Sequence, residues 1–524
     1  MGDRVSDVNV AQVGAGAQVD QLAVGRNILQ AKINIGALVV PVRFLLALLA
    51  VALVLAVAAW FYFVPAQMPP NTTNVAVATF GQVDANGRVQ DSARAEELSA
   101  WLYGKLQAEK PSLPDGTLLT VWNDRMSFLD KRVPLGRIDT EAQAAELADR
   151  IKADMVIYGN LNVGQEPATF VPQFYVRQEK READELTGSQ QLGKILNIDK
   201  TVSDLKDYLD QNLQPRAQAV LWFARGIGLD ALGEYGKAYQ LFCRADQSLT
   251  NWDAKQGREI LYYFMGREAL FAGRSDEIAR ATKDLPRGEW GNCAPFDNAA
   301  GATNAALQWF EKSKALNPDY ARAYFGLGQA HAQRANNIVR AKNQENSSAA
   351  QYKEKLGTAR NELASAIENY QAALARLPQG DARSLMNLKT RAALGSAYIL
   401  VGQTYLLANE AERDVNLVKM AVPDLLRAEA ELDPLTRAIP FDQTRFLAQT
   451  FLTLGVARQV HGQTAEILED FAAAKTTYTA ATRDFAQCLE IGKREPNDEY
   501  LAGTVMPLCA RALGEVNQAL GKIK

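Results

Sequence analysis

Residues 222–245 read WFARGIGLDALGEYGKAYQLFCRA, and the spacing of large and small side chains in this stretch decides how most of the chain folds. Trp222, Gly226 and Leu229 are four and three positions apart, so they share one face of a helix. Gly233 follows, a residue that turns a chain without steric penalty. Ala238, Phe242 and Ala245 then repeat the four-and-three spacing on a second helix. A glycine on the first helix lets the second approach closely, the alanines let it seat, and Phe242 fills the space between them.

The frame recurs along the chain. Gly266 and Gly273 stand seven apart, as Gly226 and Gly233 do. Tyr324, Leu327, Gly328 and His331 take the matching places next, after Asn317 and Pro318. Ala335 stands where a turn glycine is expected, so that helix is read as running on. Leu394, Gly395, Tyr398 and Gly402 follow, then Phe451, Leu454, Gly455 and Gly462. This pattern resembles the tetratricopeptide repeat family, in its membrane-anchored bacterial form. The resemblance implies a mainly α-helical solenoid whose repeats bind peptides or proteins. First-helix glycines at 226, 266, 328, 395 and 455 are 40, 62, 67 and 60 residues apart. A standard repeat has about 34 residues, so long insertions are expected at 288–302, 341–356 and 408–417. The array is read as 219–498, closed by a capping helix at 499–524.

Upstream, residues 44–64 (FLLALLAVALVLAVAAWFYFV) are 21 uncharged apolar or aromatic positions. As a helix they span roughly 31 Å, enough to cross a bilayer. Arg26, Lys32 and Arg43 precede them, whereas 65–83 contain no Lys or Arg. The positive-inside rule then places 1–43 in the cytoplasm and the C-terminal domains outside it, on a single-pass anchor in the cell membrane. Ala56 and Ala58 fit a signal-peptidase pattern, but 43 residues ahead of the apolar run favour retention. The reversed topology would make the chain a cytoplasmic adaptor with reduced cysteines.

The leader, 1–43, is rich in Gly and Val and alternates in short stretches. It is read either as a flexible tail or as strands that pair with copies of themselves; the second alternative would make the chain a homo-oligomer and a self-assembling envelope component. After a linker at 65–73, residues 74–178 alternate strand and helix, the pattern of a small α/β domain. Strands are expected at 74–80, 118–122 and 155–158, helices at 92–109 and 140–152, and an edge strand at 170–176 because of Pro172. The phrase AAELADRIKADMVIYGNL (144–161) resembles the small N-terminal domain of the periplasmic Tol-type β-propeller family, which implies protein contacts and no chemistry of its own. A helical linker, 179–218, is expected before the array.

Catalytic, cofactor and metal signals are weak. Lys and Arg total 57 against 60 Asp and Glu, a net charge of −3 that gives no general attraction to nucleic acid. His331 and His461 are the chain's two histidines. His331 is read as a packing residue and His461 as a cation at a helix end. There is no GxxxxGK[ST], HExxH or GxSxG motif. Asp124 after the second strand, with Asp84, Asp130 and Asp139 nearby, leaves an enzymatic or ligand-binding α/β domain as an alternative. A partner groove is expected along the first helices, with Arg225, Arg267, Gln329, Asn387 and Arg458 as candidates. Four cysteines suggest bridges Cys243–Cys293 and Cys488–Cys509 if the array faces an oxidising compartment. The alternative is four buried small apolar residues.

Overall fold

The computed structural model describes residues 32–35, 38–41, 53, 67–70, 72–109, 119–123, 135–164, 167–177, 188–191, 196–198, 218–219, 221–230, 233–249, 257–273, 293, 296, 298–340, 349–378 and 384–523. The described chain is mainly helical with a small sheet domain, and it divides into two units. In the first, β1 (Lys32–Ile35) and β2 (Leu38–Pro41) form an antiparallel hairpin. Among the described residues no helix is long and apolar enough to cross a membrane. The apolar run 44–64 lies outside them, Leu53 apart.

The second unit opens with the sheet. β3 (Thr73–Val77) runs parallel to β6 (Leu119–Asn123) on one side and β7 (Met155–Asn162) on the other. β4 (Gly81–Val83) continues along β7 and pairs with β5 (Val89–Gln90). β8 (Ala168–Val176) lies antiparallel to β7 along its whole length. Strand alternation divides the sheet's apolar side chains between two faces. Val75 and Val77 pack with Ala95, Leu98, Leu102 and Leu106 of α1 (Ala93–Glu109). Ala76, Val156 and Tyr158 pack with Ala144, Leu147, Ala148 and Ile151 of α2 (Glu141–Ile151). Thr140 caps α2 in a capping box with Gln143, as Asp139-Thr140-Glu141 suggests.

Two expectations for this domain change. β8 is not an edge strand: β9 (Gly188–Gln191) and β10 (Leu196–Ile198) pair with its outer side. Pro172 is tolerated because it falls between the stretch paired with β10, 168–170, and the stretch paired with β9, 173–176. The sheet therefore reaches into 179–218, which the sequence reads as a helical linker. Residues 199–217 of that linker lie outside the described residues.

Helices follow in antiparallel pairs. The first pair is α3 (221–230) with α4 (Tyr235–Ser248), joined through Gly233 at φ 76°. Then come α5 (Arg258–Ala272) with α6 (Ala299–Leu316), and α7 (Ala321–Arg340) with α8 (Ala349–Arg376). The last two pairs are α9 (Leu385–Glu412) with α10 (Val415–Ala438), and α11 (Thr444–Ile467) with α12 (Phe471–Gly492). One contact repeats through all five. A Cβ at Gly226 would meet Phe242, and at Gly266, Phe310; at Gly328, Gly395 and Gly455 it would meet Tyr370, Leu432 and Phe485. Each pair thus crosses where a bare backbone faces a large side chain.

In the last two pairs the contact occurs twice. Gly402 faces Leu425 and Gly462 faces Tyr478, each seven residues from the first contact on both helices. These glycines are therefore not turns: α9 and α11 run through them, as α7 runs through Ala335. Gly273, by contrast, ends α5. Much of two expected insertions is helix. Residues 349–356 begin α8, where Tyr352 and Leu356 pack on Ala408 near the end of α9.

Both ends of the array are closed. On α3, Phe223 packs on Phe174 of the sheet at 5.1 Å, on Phe242 at 5.3 Å and on Phe264 at 4.8 Å. Sheet and first helix pairs thus share one hydrophobic core. At the other end a π-helical turn, Leu501–Val505, leads into α13 (Met506–Lys522), which packs on α12. Disulfides Cys243–Cys293 and Cys488–Cys509 join the expected partners, and all four cysteines are buried.

Candidate functional site

The five arginine and amide candidates do not form one surface. Arg267 is a correction. Its side chain is 2% exposed, inside the protein, between Asp230 at 2.5 Å and Glu268 at 2.6 Å. Two carboxylates and the ring of Phe271, 4.6 Å from the guanidinium, hold the charge in the core. Arg225 of α3 donates to Thr73 Oγ1 of β3 at 3.1 Å, so it fastens helix to sheet. Burial lowers its pKa.

Asn387 sits in the first turn of α9. Its backbone N–H takes the Ser384 cap, and its side chain accepts from Arg391 at 3.1 Å. Arg458 is clamped among three carboxylates. It donates to both oxygens of Asp484 at 3.0 and 2.7 Å, to Asp433 at 2.7 Å and to Glu429 at 3.4 Å. Gln329 is half-buried on α7.

The histidines also differ from expectation. His331 Nδ1 lies 2.7 Å from Glu362 Oε2, a polar contact rather than plain packing. His461 Nδ1 lies 2.7 Å from Glu429 Oε1, in the interior of α11 rather than at its end. Aspartates of the α/β domain have structural roles. Asp84 accepts from the backbone N–H groups of Asn86 and Arg88, and Asp139 pairs with Arg137 at 3.0 Å. Asp124 and Asp130 lie outside the described residues. No group of His, Cys, Asp and Glu among the described residues is arranged to hold a metal.

The structure instead presents a groove of about 730 Å³ that the sequence reading missed. α8 forms one wall with Arg360, Asn361, Ala364, Ile367, Glu368 and Gln371. α9 supplies the floor with Tyr398, Val401 and Tyr405, and α10 the other wall with Asp424 and Arg427. Tyr398 and Tyr405 are seven positions apart, two turns along one helix face. Each carries a guanidinium over its ring: Arg360 over Tyr405 at 4.9 Å and Arg427 over Tyr398 at 5.9 Å. Arg427 is also 3.1 Å from Asp424, and Gln371 donates to the Tyr398 hydroxyl at 3.4 Å.

Charge on this surface is unevenly matched. Asp424 has its partner in Arg427, yet burial still raises its pKa. Arg360 has no ion-pair partner among the described residues, and its Nη1 is buried without an acceptor. Elsewhere on α10, Met420 and Leu426 expose about half their area. The arrangement offers stacked cations, an apolar middle and amides, and no nucleophile with an adjacent base. Comparison with known proteins returns no matching family model and no matching curated protein.

Proposed function

We propose that this chain is a non-enzymatic, single-span membrane protein whose helix pairs form a tetratricopeptide-type solenoid. In this reading the array stands outside the cytoplasm and binds protein or peptide partners as a receptor or scaffold. The observation that carries it is the glycine-to-large-side-chain crossing repeated in five successive pairs. Stacked units of this kind leave long lateral surfaces open to a partner. A sheet domain at one end and α13 at the other cover the array's ends, which disfavours growth by end-to-end stacking. Two buried disulfides support an oxidising compartment and count against the cytoplasmic adaptor.

The test is protease accessibility in intact cells or spheroplasts, with a tag after Lys524. Cleavage of the array from outside supports the reading. Protection of the array, while a known outer-face protein is cut, reverses the topology.

One observation favours self-assembly as a second activity of the leader. Among the described residues β1 and β2 form a two-stranded hairpin with no third strand, marginal on its own and open to strand addition from another copy. The expected result is a uniform oligomer in detergent that becomes monomeric when residues 1–41 are removed. A monomeric full-length chain would sink this part.

A further inference from the structure

The groove between α8 and α10 is polarised along its length, and the order of its groups limits what it can hold. Arg360 marks one end, stacked on Tyr405. Ala364, Ile367 and Val401 line the middle. Glu368 and Gln371 mark the other end, and both are exposed. Among the described residues, no carboxylate pairs with Arg360 and no cation with Glu368, although several other charges on these helices are paired. Lys353 meets Glu412 at 2.9 Å, and Arg427 meets Asp424 at 3.1 Å. Among the residues that line the groove, the opposite wall is therefore internally neutralised, and the two unmatched charges both lie on α8.

Eight residues separate Arg360 from Glu368, roughly 12 Å along a helix at 1.5 Å per residue. An extended peptide rises about 3.4 Å per residue, so three or four of its residues span that distance. We propose that the groove binds an extended protein segment carrying an acidic and a basic side chain three or four positions apart. The acidic side chain pairs with Arg360 and the basic one with Glu368. Small or apolar residues between them lie over Ala364, Ile367 and Val401. Arg360 suits the first role because the Tyr405 ring fixes its plane and leaves its hydrogen-bonding edge unmatched. The apolar floor suits the second requirement, since a charge placed over it would lose solvation.

The proposal rests on the reading of the array as a protein-binding surface. It is tested with the full chain in detergent micelles as bait for a random-peptide display library. Enriched peptides are then synthesised with a fluorophore and titrated by anisotropy. Expected are sequences with an acid and a base three or four positions apart, whose affinity falls at least tenfold in Arg360→Glu and in Glu368→Lys. Each variant should also switch its choice. Glu368→Lys makes both ends basic and should prefer the peptide with two acids by tenfold or more. Arg360→Glu should prefer the peptide with two bases. Unchanged thermal midpoints in both variants would show that folding is intact. Enriched peptides that bind both variants as tightly as the parent would overturn the groove assignment while leaving protein binding by the array standing. No enrichment on the parent chain would overturn both.

Discussion

Arg445 and Asp498 lie 53 residues apart and meet in a two-pronged ion pair, Nε to Oδ2 at 3.0 Å and Nη2 to Oδ1 at 2.8 Å. The same Asp498 accepts from the backbone N–H groups of Tyr500 and Leu501, at the start of the turn that leads to α13. One carboxylate thus ties the closing helix to the beginning of α11.

Asp498→Ala should loosen this end. Loss of a partly buried, multiply bonded carboxylate costs about 2 kcal/mol. Burial opposes its charge, but the Leu501 N–H, Arg445 and the Tyr500 N–H outweigh burial and hold its pKa below the usual carboxylate value. The folded pKa is depressed, so the contribution is present above the unfolded value near 4. It is lost as pH falls through the lower, folded value. Hydrogen exchange over 506–522 should quicken in the variant at pH 7, and the difference from the parent should shrink at acid pH. Unchanged protection at pH 7 would show that the tie is idle.

Asp484 should behave with the opposite sign. Burial raises its carboxyl to about 6 although Arg458 and, more weakly, Arg483 pull the other way; Asp433 adds to the rise. A folded pKa above the unfolded one means the folded chain takes up the proton first. Stability linked to this group is greatest below about 4 and falls as pH rises through about 6. Thermal midpoints of the parent and Asp484→Asn, compared at pH 4.5 and 7.5, should show the parent gaining on the variant at the lower pH. A difference independent of pH would refute the assignment.

Two glycine substitutions should diverge. A Cβ at Gly455 would stand 2.6 Å from the Phe485 ring, whereas nothing lies within 4 Å of one at Gly514. Gly514→Ala should stabilise α13 by about 0.5–1 kcal/mol through helix propensity. Gly455→Ala gains the same propensity but forces the ring aside at a cost of about 1–3 kcal/mol, and should destabilise overall. Denaturant midpoints decide, and equal shifts in the two variants would remove the crossing contact from the account.

The disulfides should stabilise unequally. Cys243–Cys293 closes a separation of 50 residues and Cys488–Cys509 one of 21. Chain entropy gives about 4 and about 3 kcal/mol. Paired Cys→Ser replacements, each compared with the intact chain without reductant, should rank in that order. The reverse ranking would show that local packing outweighs chain entropy.

The helix pairs are legible because the residues that define them, Gly226 with Phe242 or Gly455 with Phe485, follow a fixed local spacing. Helix lengths are less so. Ala335 signals a helix that runs on, but Gly402 and Gly462 sit where turns are expected and are instead helical, because Leu425 and Tyr478, two turns from the first crossing, pack against them and bury the extra length. Burial is hardest to read. Arg267 looks like a surface cation until α3 brings Asp230 to it. The groove is illegible for the same reason, since Arg360, Tyr405 and Arg427 come from three helices. The two-turn spacing of Tyr398 and Tyr405 was the one local sign of it.

Phe223 touches strand, first pair and second pair at once. A ribosome delivers the sheet before it delivers α3, so the finished sheet meets the emerging helix with Phe174 already in place. Assembly of the array thereby acquires a starting point and a direction. If each pair forms on the one before it, the protection of backbone amides should appear from the sheet outward during refolding. A break near the sheet should therefore be felt along the whole array, whereas a break at α13 should stay local.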